Sequence, residues 1–217
     1  MPQRTSFSKR TLDASPPLVV IVDDDASTLE ALECLLVSVG LEVQAFASAQ
    51  ACLDGADRVR AGCIVLDVRL PGKNGLELHE ELKRAGLRAP VVFISGYGDV
   101  RMTVRAMKAG AVEFLSKPFH EQELLDAIQV GIEQDRVQRE RQDAVAAVQA
   151  RFATLTPRER EIMSLVVLGL RNKAIATEFG LSEVTVKAHR RQVMSKMSAP
   201  SLADLVRMGD LLCDASS

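Results

Sequence analysis

Three short, unbroken apolar runs, each meeting an aspartate or a serine at its carboxyl end, constrain this chain more than any other feature. LVVIV (18–22) runs into Asp23, Asp24 and Asp25, GCIVL (62–66) runs into Asp67, and VVFI (91–94) runs into Ser95. A run of this kind has no polar alternation and so no solvent-facing side, which suits a strand covered on both faces in a parallel sheet. Between the first two runs, STLEALECLLVSVG (27–40) sets Leu29, Leu32, Leu35, Leu36 and Val39 at helical spacing and stops at a glycine. The order is strand, helix, strand, helix.

Continuing along the chain, the pattern predicts a weaker strand at EVQAF (42–46), a helix from about Gly75 to Ala85 and another from Asp99 to Ala109. A short strand at EFL (113–115) and a helix beginning near Glu121 follow. Five strands and five helices predict an α/β fold, a doubly wound five-stranded parallel sheet. From Leu124 to Arg151 the pattern stays helical but becomes highly charged, and EQDRVQRERQD contains neither Gly nor Pro. The expected organisation is a tail over 1–16, a first domain over 17–133, a helical linker over 134–153 and a small all-α domain over 154–217.

In a doubly wound sheet, ligands lie beyond the carboxyl ends of the strands. Asp23, Asp24, Asp67, Ser95 and Lys117, each at or just after a strand end, are therefore expected to converge. Carboxylates facing one crevice repel one another unless a cation lies among them, and Mg²⁺ is the hard, oxygen-seeking ion for such a set. Asp23 and Asp24 would be its ligands. Asp67 stands before the loop VRLPGKNG, where a carboxylate oxygen could attack a phosphoryl group. Lys117 would pair with that charge and Ser95 would donate a hydroxyl to it. Asp25 reads as the exposed start of the first helix, where a carboxylate complements the helix dipole. Phosphatases with an aspartate nucleophile and Mg²⁺ need a second acid two residues on; here that residue is Arg69, so no enzyme is expected.

Downstream, Thr156-Pro157-Arg158-Glu159 is a capping box with Pro at the first helical position, and Gly169 closes the helix it opens. Asn172 is placed to cap NKAIATEF, which ends at Gly180, and Ser182 to cap EVTVKAHRRQVMSKM. A short helix, a tight Gly turn and a longer basic helix form a helix-turn-helix pattern. Lys187 and Arg191, four apart with Ala188 beside them, share a face that could enter the major groove. Val184, Val186, Val193, Met194 and Met197 are expected to supply apolar contacts. Thr185 and Asn172 are placed for phosphates. His189 has no partner at ligand spacing, and no zinc site is expected.

The segments IVDDD, LDVRLPGKNG, VFISGYGD and AVEFLSKPF, in that order over about residues 17–133, resemble the receiver domains of two-component response regulators. LTPRERE, GLRNKAIA and LSEVTVKAHRRQVMSKM, over about 155–208, resemble the LuxR-type DNA-binding domain, and the pair is similar to the FixJ/NarL class. The resemblance implies that Asp67 is the phosphoacceptor and that Asp23, Asp24, Asp67 and the backbone carbonyl of Arg69 hold Mg²⁺. Ser95 and Lys117 would contact the phosphoryl oxygens, the Lys117–Pro118 bond would be cis, and Phe114 would be a switch aromatic rather than simply core. Lys187, Ala188 and Arg191 would face bases, Lys173 and Arg190 would join the DNA contacts, and a last helix near 201–212 would give a dimer contact on DNA. The implied partners are a sensor histidine kinase, double-stranded promoter DNA, RNA polymerase and, on phosphorylation, a second copy docked through residues 99–131. Transcription would be activated from two half-sites about a helical turn apart. The alternative is a DNA-binding protein indifferent to phosphorylation, with the first domain serving only to dimerise.

Charge agrees in sign with this division. Residues 1–153 carry 18 Lys and Arg against 22 Asp and Glu, net −4, and 154–217 carry 9 against 7, net +2. No apolar run reaches the roughly 18 to 20 residues of a membrane helix, and the first residues lack a signal-peptide block, so a cytoplasmic protein is expected. Cys34, Cys52, Cys63 and Cys213 lack C-x-x-C spacing and are expected to be small buried apolar residues without function.

Overall fold

The computed structural model describes residues 16–56, 60–96 and 100–214. Nearly all of the expected tail, and Asp99 at the expected start of a helix, lie outside them. The chain forms two compact units that divide between Val137 and Gln138. Among the described residues no helix is long and apolar enough to cross a membrane.

The first unit alternates β1 (Leu18–Val22), α1 (Ala26–Ser38), β2 (Glu42–Phe46), α2 (Ala49–Ala56), β3 (Cys63–Asp67), α3 (Gly75–Arg84), β4 (Val91–Ser95), α4 (Val100–Lys108) and β5 (Glu113–Ser116), and then enters α5 (Glu121–Ala153). The five strands are all parallel, in the order β2-β1-β3-β4-β5. Successive side chains point to opposite faces of the sheet, and each face has a core. Val20, Val22, Ile64, Leu66, Val91 and Phe93 pack with α3 residues Leu78 and Leu82. Val19, Ile21, Cys63, Val65, Val92 and Ile94 pack with Leu32 and Leu36 of α1 and Leu124 and Ile128 of α5. This two-sided burial is why the strands read as continuous apolar runs. The chain leaves β1 outward to β2 and returns to β3 on the other side, so a crevice opens beyond the ends of β1 and β3.

Local chemistry sets the helix starts. Asp25 is the N-cap of α1, accepting from the backbone N–H of Ser27 at 2.9 Å and from the Ser27 and Thr28 hydroxyls at 2.7 and 3.1 Å. Asn74 caps α3 in a capping box with Glu77. Within the loop VRLPGKNG, Arg69–Leu70 and Lys73–Asn74 pair as a two-residue antiparallel ribbon that the sequence pattern did not indicate. The cysteine expectation holds for Cys52 and Cys63, which are buried, with burial pushing their thiols up to about 11 and about 12. It fails for Cys34 and Cys213, which lie on exposed helix positions.

The second unit is all-helical: α6 (Pro157–Val167), α7 (Asn172–Phe179), α8 (Glu183–Lys196) and α9 (Leu202–Asp214). Its core of Ile162, Met163, Val166, Ile175, Val186, Val193, Met197 and Leu205 also includes Val148, with Phe152 packed against it. The last turns of α5, expected to be linker, thus supply apolar contacts to this unit. The Thr156 capping box forms as expected, and Gly180 closes α7 with a left-handed φ of 63°.

A buried ion pair ties α6 to α8. Glu159, 5% exposed, accepts from Lys196 Nζ at 2.6 Å and from the backbone N–H of Thr156 at 2.8 Å. The Lys196 hydrogen bond, then that of Thr156, holds its carboxyl below the ordinary glutamate value of 4.5. A lowered folded-state value means that the stabilisation is fully present above the ordinary value and is lost as pH falls through the folded one. Glu159→Gln is expected to melt below wild type near pH 7, with the gap closing as pH falls below the ordinary glutamate value, as read by thermal unfolding across that range. A gap independent of pH would show that the pair contributes nothing through its charge.

Candidate acidic site and candidate nucleic-acid interface

The crevice beyond β1 and β3 brings together residues 94 and 50 positions apart in sequence. Asp23 follows β1 and is 1% exposed, Asp67 ends β3, Ser95 ends β4 and is fully buried, and Lys117 follows β5. Lys117 Nζ donates to Asp23 Oδ2 at 2.6 Å and to Asp67 Oδ2 at 2.7 Å. Its backbone N–H donates to the Ser95 carbonyl at 2.8 Å, fixing the root of the side chain, and the Lys117–Pro118 bond is cis. Asp67 Oδ1 accepts from the backbone N–H of Arg69 at 2.7 Å, so both oxygens of this carboxylate are held.

Burial raises the Asp23 carboxyl, and the hydrogen bond from Lys117 opposes it only in part. For Lys117, burial works against its charge, but the bonds to Asp23 and Asp67 outweigh it and hold the ammonium above its usual range. One cationic centre within 2.6–2.7 Å of both carboxylates shows that their oxygens can share a cation. The donors are all oxygen, which suits a hard ion of the Mg²⁺ type. Asp24 is exposed and no hydrogen bond joins it to this group. Among the described residues, no three His, Cys, Asp or Glu side chains gather at metal-ligating spacing. Phe114, paired in register with Phe93, is buried in the core on the α3 side of the sheet.

Gly75 lets the first turn of α3 press against this site. Its N–H donates to the Val68 carbonyl at 2.9 Å, and a Cβ there would meet the Asp67 carbonyl oxygen and come within 2.9 Å of Val68 Cα. Both obstacles are backbone and cannot rotate away. Gly75→Ala is expected to cost about 1–3 kcal/mol, read as a lowered unfolding midpoint. A variant as stable as wild type would show that α3 can shift without disturbing β3.

In the second unit, polar contacts tie α6, α7 and α8 to one another. Besides the Glu159–Lys196 pair, Arg190 Nη1 donates to Asn172 Oδ1 at 2.7 Å, and Arg158 donates to the Phe179 carbonyl at 3.2 Å with its guanidinium 3.8 Å from the Phe179 ring centre. Asn172 is therefore not the cap of α7. The cap position belongs to Arg171, which makes no side-chain cap bond, and the Asn172 side chain instead joins α7 to α8. Ser182 caps α8 as expected, accepting from Thr185 N–H at 3.1 Å, with the two hydroxyls 2.8 Å apart.

The outward face of α8 carries Val184, Lys187, Ala188, Arg191, Gln192 and Ser195, which line one open surface. Lys187, Ala188 and Arg191 thus lie together, and Lys173 is also exposed, whereas Arg190 is half-buried. Val184 departs from expectation: it packs on nothing in the core and is 79% exposed. Gln192 and Ser195 were not anticipated, although Gln192 lies four residues after Ala188 and Ser195 four after Arg191, the spacing of one helix face.

Comparison with known proteins matches residues 19–129 to the response regulator receiver domain and residues 153–209 to the luxR family of bacterial regulatory proteins. The chain is a transcriptional response regulator. The regulator is 53% identical over 195 residues to Nodulation protein W of Bradyrhizobium diazoefficiens, covering 90% of this chain and 86% of that one. It is 44% identical over 190 residues to the transcriptional regulatory protein FixJ of Azorhizobium caulinodans, with 88% and 90% covered. Among solved structures, the response regulator StyR aligns with a TM-score of 0.79 at 45% identity over 90% of the regulator and 98% of that chain. The receiver match spans Asp23 to Lys117, and the luxR match spans α6 to α8.

Proposed function

We propose that Asp67 accepts a phosphoryl group from a sensor histidine kinase and that this modification drives homodimerisation and binding to promoter DNA. The observation that carries the reading is the Lys117 ammonium bridging the Asp67 carboxylate to Asp23 at the strand ends. In the transfer, an Asp67 oxygen forms a bond to phosphorus as the phosphorus–nitrogen bond of the donor breaks, and the imidazole leaves with that electron pair. The Arg69 N–H and Lys117 fix the carboxylate for attack, and Lys117 then neutralises charge on the acquired group. Ser95 donates its hydroxyl to the same group, and Phe114, buried in the core, serves as the switch aromatic that answers it.

Receiver domains of this family bind Mg²⁺ at the phosphorylation site. Here Asp23, Asp24, Asp67 and the Arg69 carbonyl would hold it, where it would offset the charge of the phosphoryl oxygens. With arginine rather than an acid at position 69, no general acid stands beside the acyl phosphate, so the protein holds the group as a signal and does not turn over substrate. Lys187, Ala188 and Arg191 read bases, Thr185, Lys173 and Asn172 serve the phosphate backbone, and Arg190 acts mainly by holding Asn172. The reading places the regulator in the cytoplasm, with a receiver over 17–133, a linker over 134–153 and a DNA-binding domain over 154–217. It makes the protein an activator that contacts RNA polymerase. The test is DNA affinity of the full chain with and without acetyl phosphate and Mg²⁺. Tighter binding on phosphorylation is expected; equal binding would favour a regulator indifferent to the modification.

A further inference from the structure

Two of the three valines on α8 serve the core: Val186 and Val193 are 0% and 1% exposed. Val184 does not, lying outside the apolar cluster of the second unit. A single exposed apolar residue is ordinary on a protein surface, but this one has a particular setting. It lies in the first turn of α8, three and four residues before Lys187 and Ala188, on the face that carries the exposed cations. The recognition helix of a helix-turn-helix touches base edges with its N-terminal residues.

In the major groove, cationic side chains pair with guanine, and the thymine C5-methyl is the apolar group offered to a side chain. Val184 and Ala188, one helical turn apart, form an apolar strip beside two cations. Burying a branched side chain against a methyl there removes apolar surface from water on both partners. The fold makes no use of the Val184 side chain, so a base contact explains an apolar residue at the head of a basic face. We propose that Val184 is a specificity-determining residue that reads a thymine methyl in each half-site, with Ala188 flanking the contact. This rests on the reading that α8 is the helix that enters the groove.

The full chain, with acetyl phosphate and Mg²⁺, is used to select duplexes from a randomised pool. Each thymine of the selected site is then replaced singly by deoxyuridine, which deletes only the methyl, and affinity is measured for wild type and Val184→Ala. Val184 is exposed, so the variant keeps the fold. One thymine per half-site is expected at which deoxyuridine weakens wild type about fourfold and leaves Val184→Ala unaffected. The proposal is overturned if no thymine behaves so, or if the variant keeps the full penalty. It is also overturned if the variant binds every duplex more tightly without phosphodonor, since Val184 would then be a masking contact. If Lys187→Ala and Arg191→Ala bind the selected site as wild type does, α8 is not the reading helix, and that separate result removes the premise.

Discussion

Replacing Lys187 and Arg191 together by alanine is expected to lower affinity for DNA by roughly a hundredfold or more, with no change in unfolding temperature. Each side chain that pairs with a base edge is worth about 1–3 kcal/mol, and two such losses on one helix face add to that order. Both residues are exposed and neither supports the core, so stability should stay where it is. Titration of one duplex at several salt concentrations separates their roles. A side chain that pairs with a phosphate reduces the salt slope by about 1, while one that reads a base lowers affinity mainly at one sequence. A double variant within twofold of wild type would show that the basic face of α8 does not meet DNA.

Lys117→Met should produce the largest change in stability. The substitution keeps most of the side-chain volume but leaves Asp23 buried and Asp67 beside it without their shared cation. Removing one partner of a buried pair costs about 3–5 kcal/mol, and the partial exposure of Lys117 places this one at the lower end. Thermal unfolding in chelator should reveal the full loss. Adding Mg²⁺ should then raise the midpoint of the variant more than that of wild type, because at the proposed site the metal would be the sole cation at the two carboxylates of the variant and would bind only the folded state. Equal midpoints for variant and wild type in chelator would contradict the role given to Lys117.

The sheet was legible because its strands are covered on both faces and so carry no polar alternation. The meeting of Asp23, Asp67 and Lys117 was legible for a topological reason: in a doubly wound sheet the strand ends share one edge, however distant they are in sequence. What was not legible depended on contacts that local pattern does not encode. Helix α2, AQACLDGA, is short and weakly punctuated, and sequence did not give it a place of its own. The ribbon at Arg69–Leu70 and Lys73–Asn74 is too brief to show a period. Asn172 was read as a cap because its residue type favours caps, whereas its side chain accepts from Arg190, 18 positions away. Val184 was read as core because branched apolar residues usually are; the phase of α8 turns it outward. The end of the charged linker escaped notice because Val148 and Phe152 stand among small alanines after a charged run, and only the second unit's core reveals their use.

These departures change roles more than they change the account of the site. Arg190 is held to Asn172 at the start of α7, while Lys187 and Arg191 are the cations on the outward face of α8. Asp25, by contrast, starts α1 as expected, an exposed cap whose oxygens are taken by Ser27 and Thr28.

The central claim is that a phosphoryl group on Asp67 makes the protein associate, and the most direct measurement is intact mass with oligomeric state on the same samples. Wild type and Asp67→Asn are each incubated with acetyl phosphate and Mg²⁺. The account predicts one phosphoryl adduct on wild type with a shift from monomer to dimer, and neither change in Asp67→Asn. An adduct that persists in Asp67→Asn, or wild type that is fully modified and still monomeric, would contradict it.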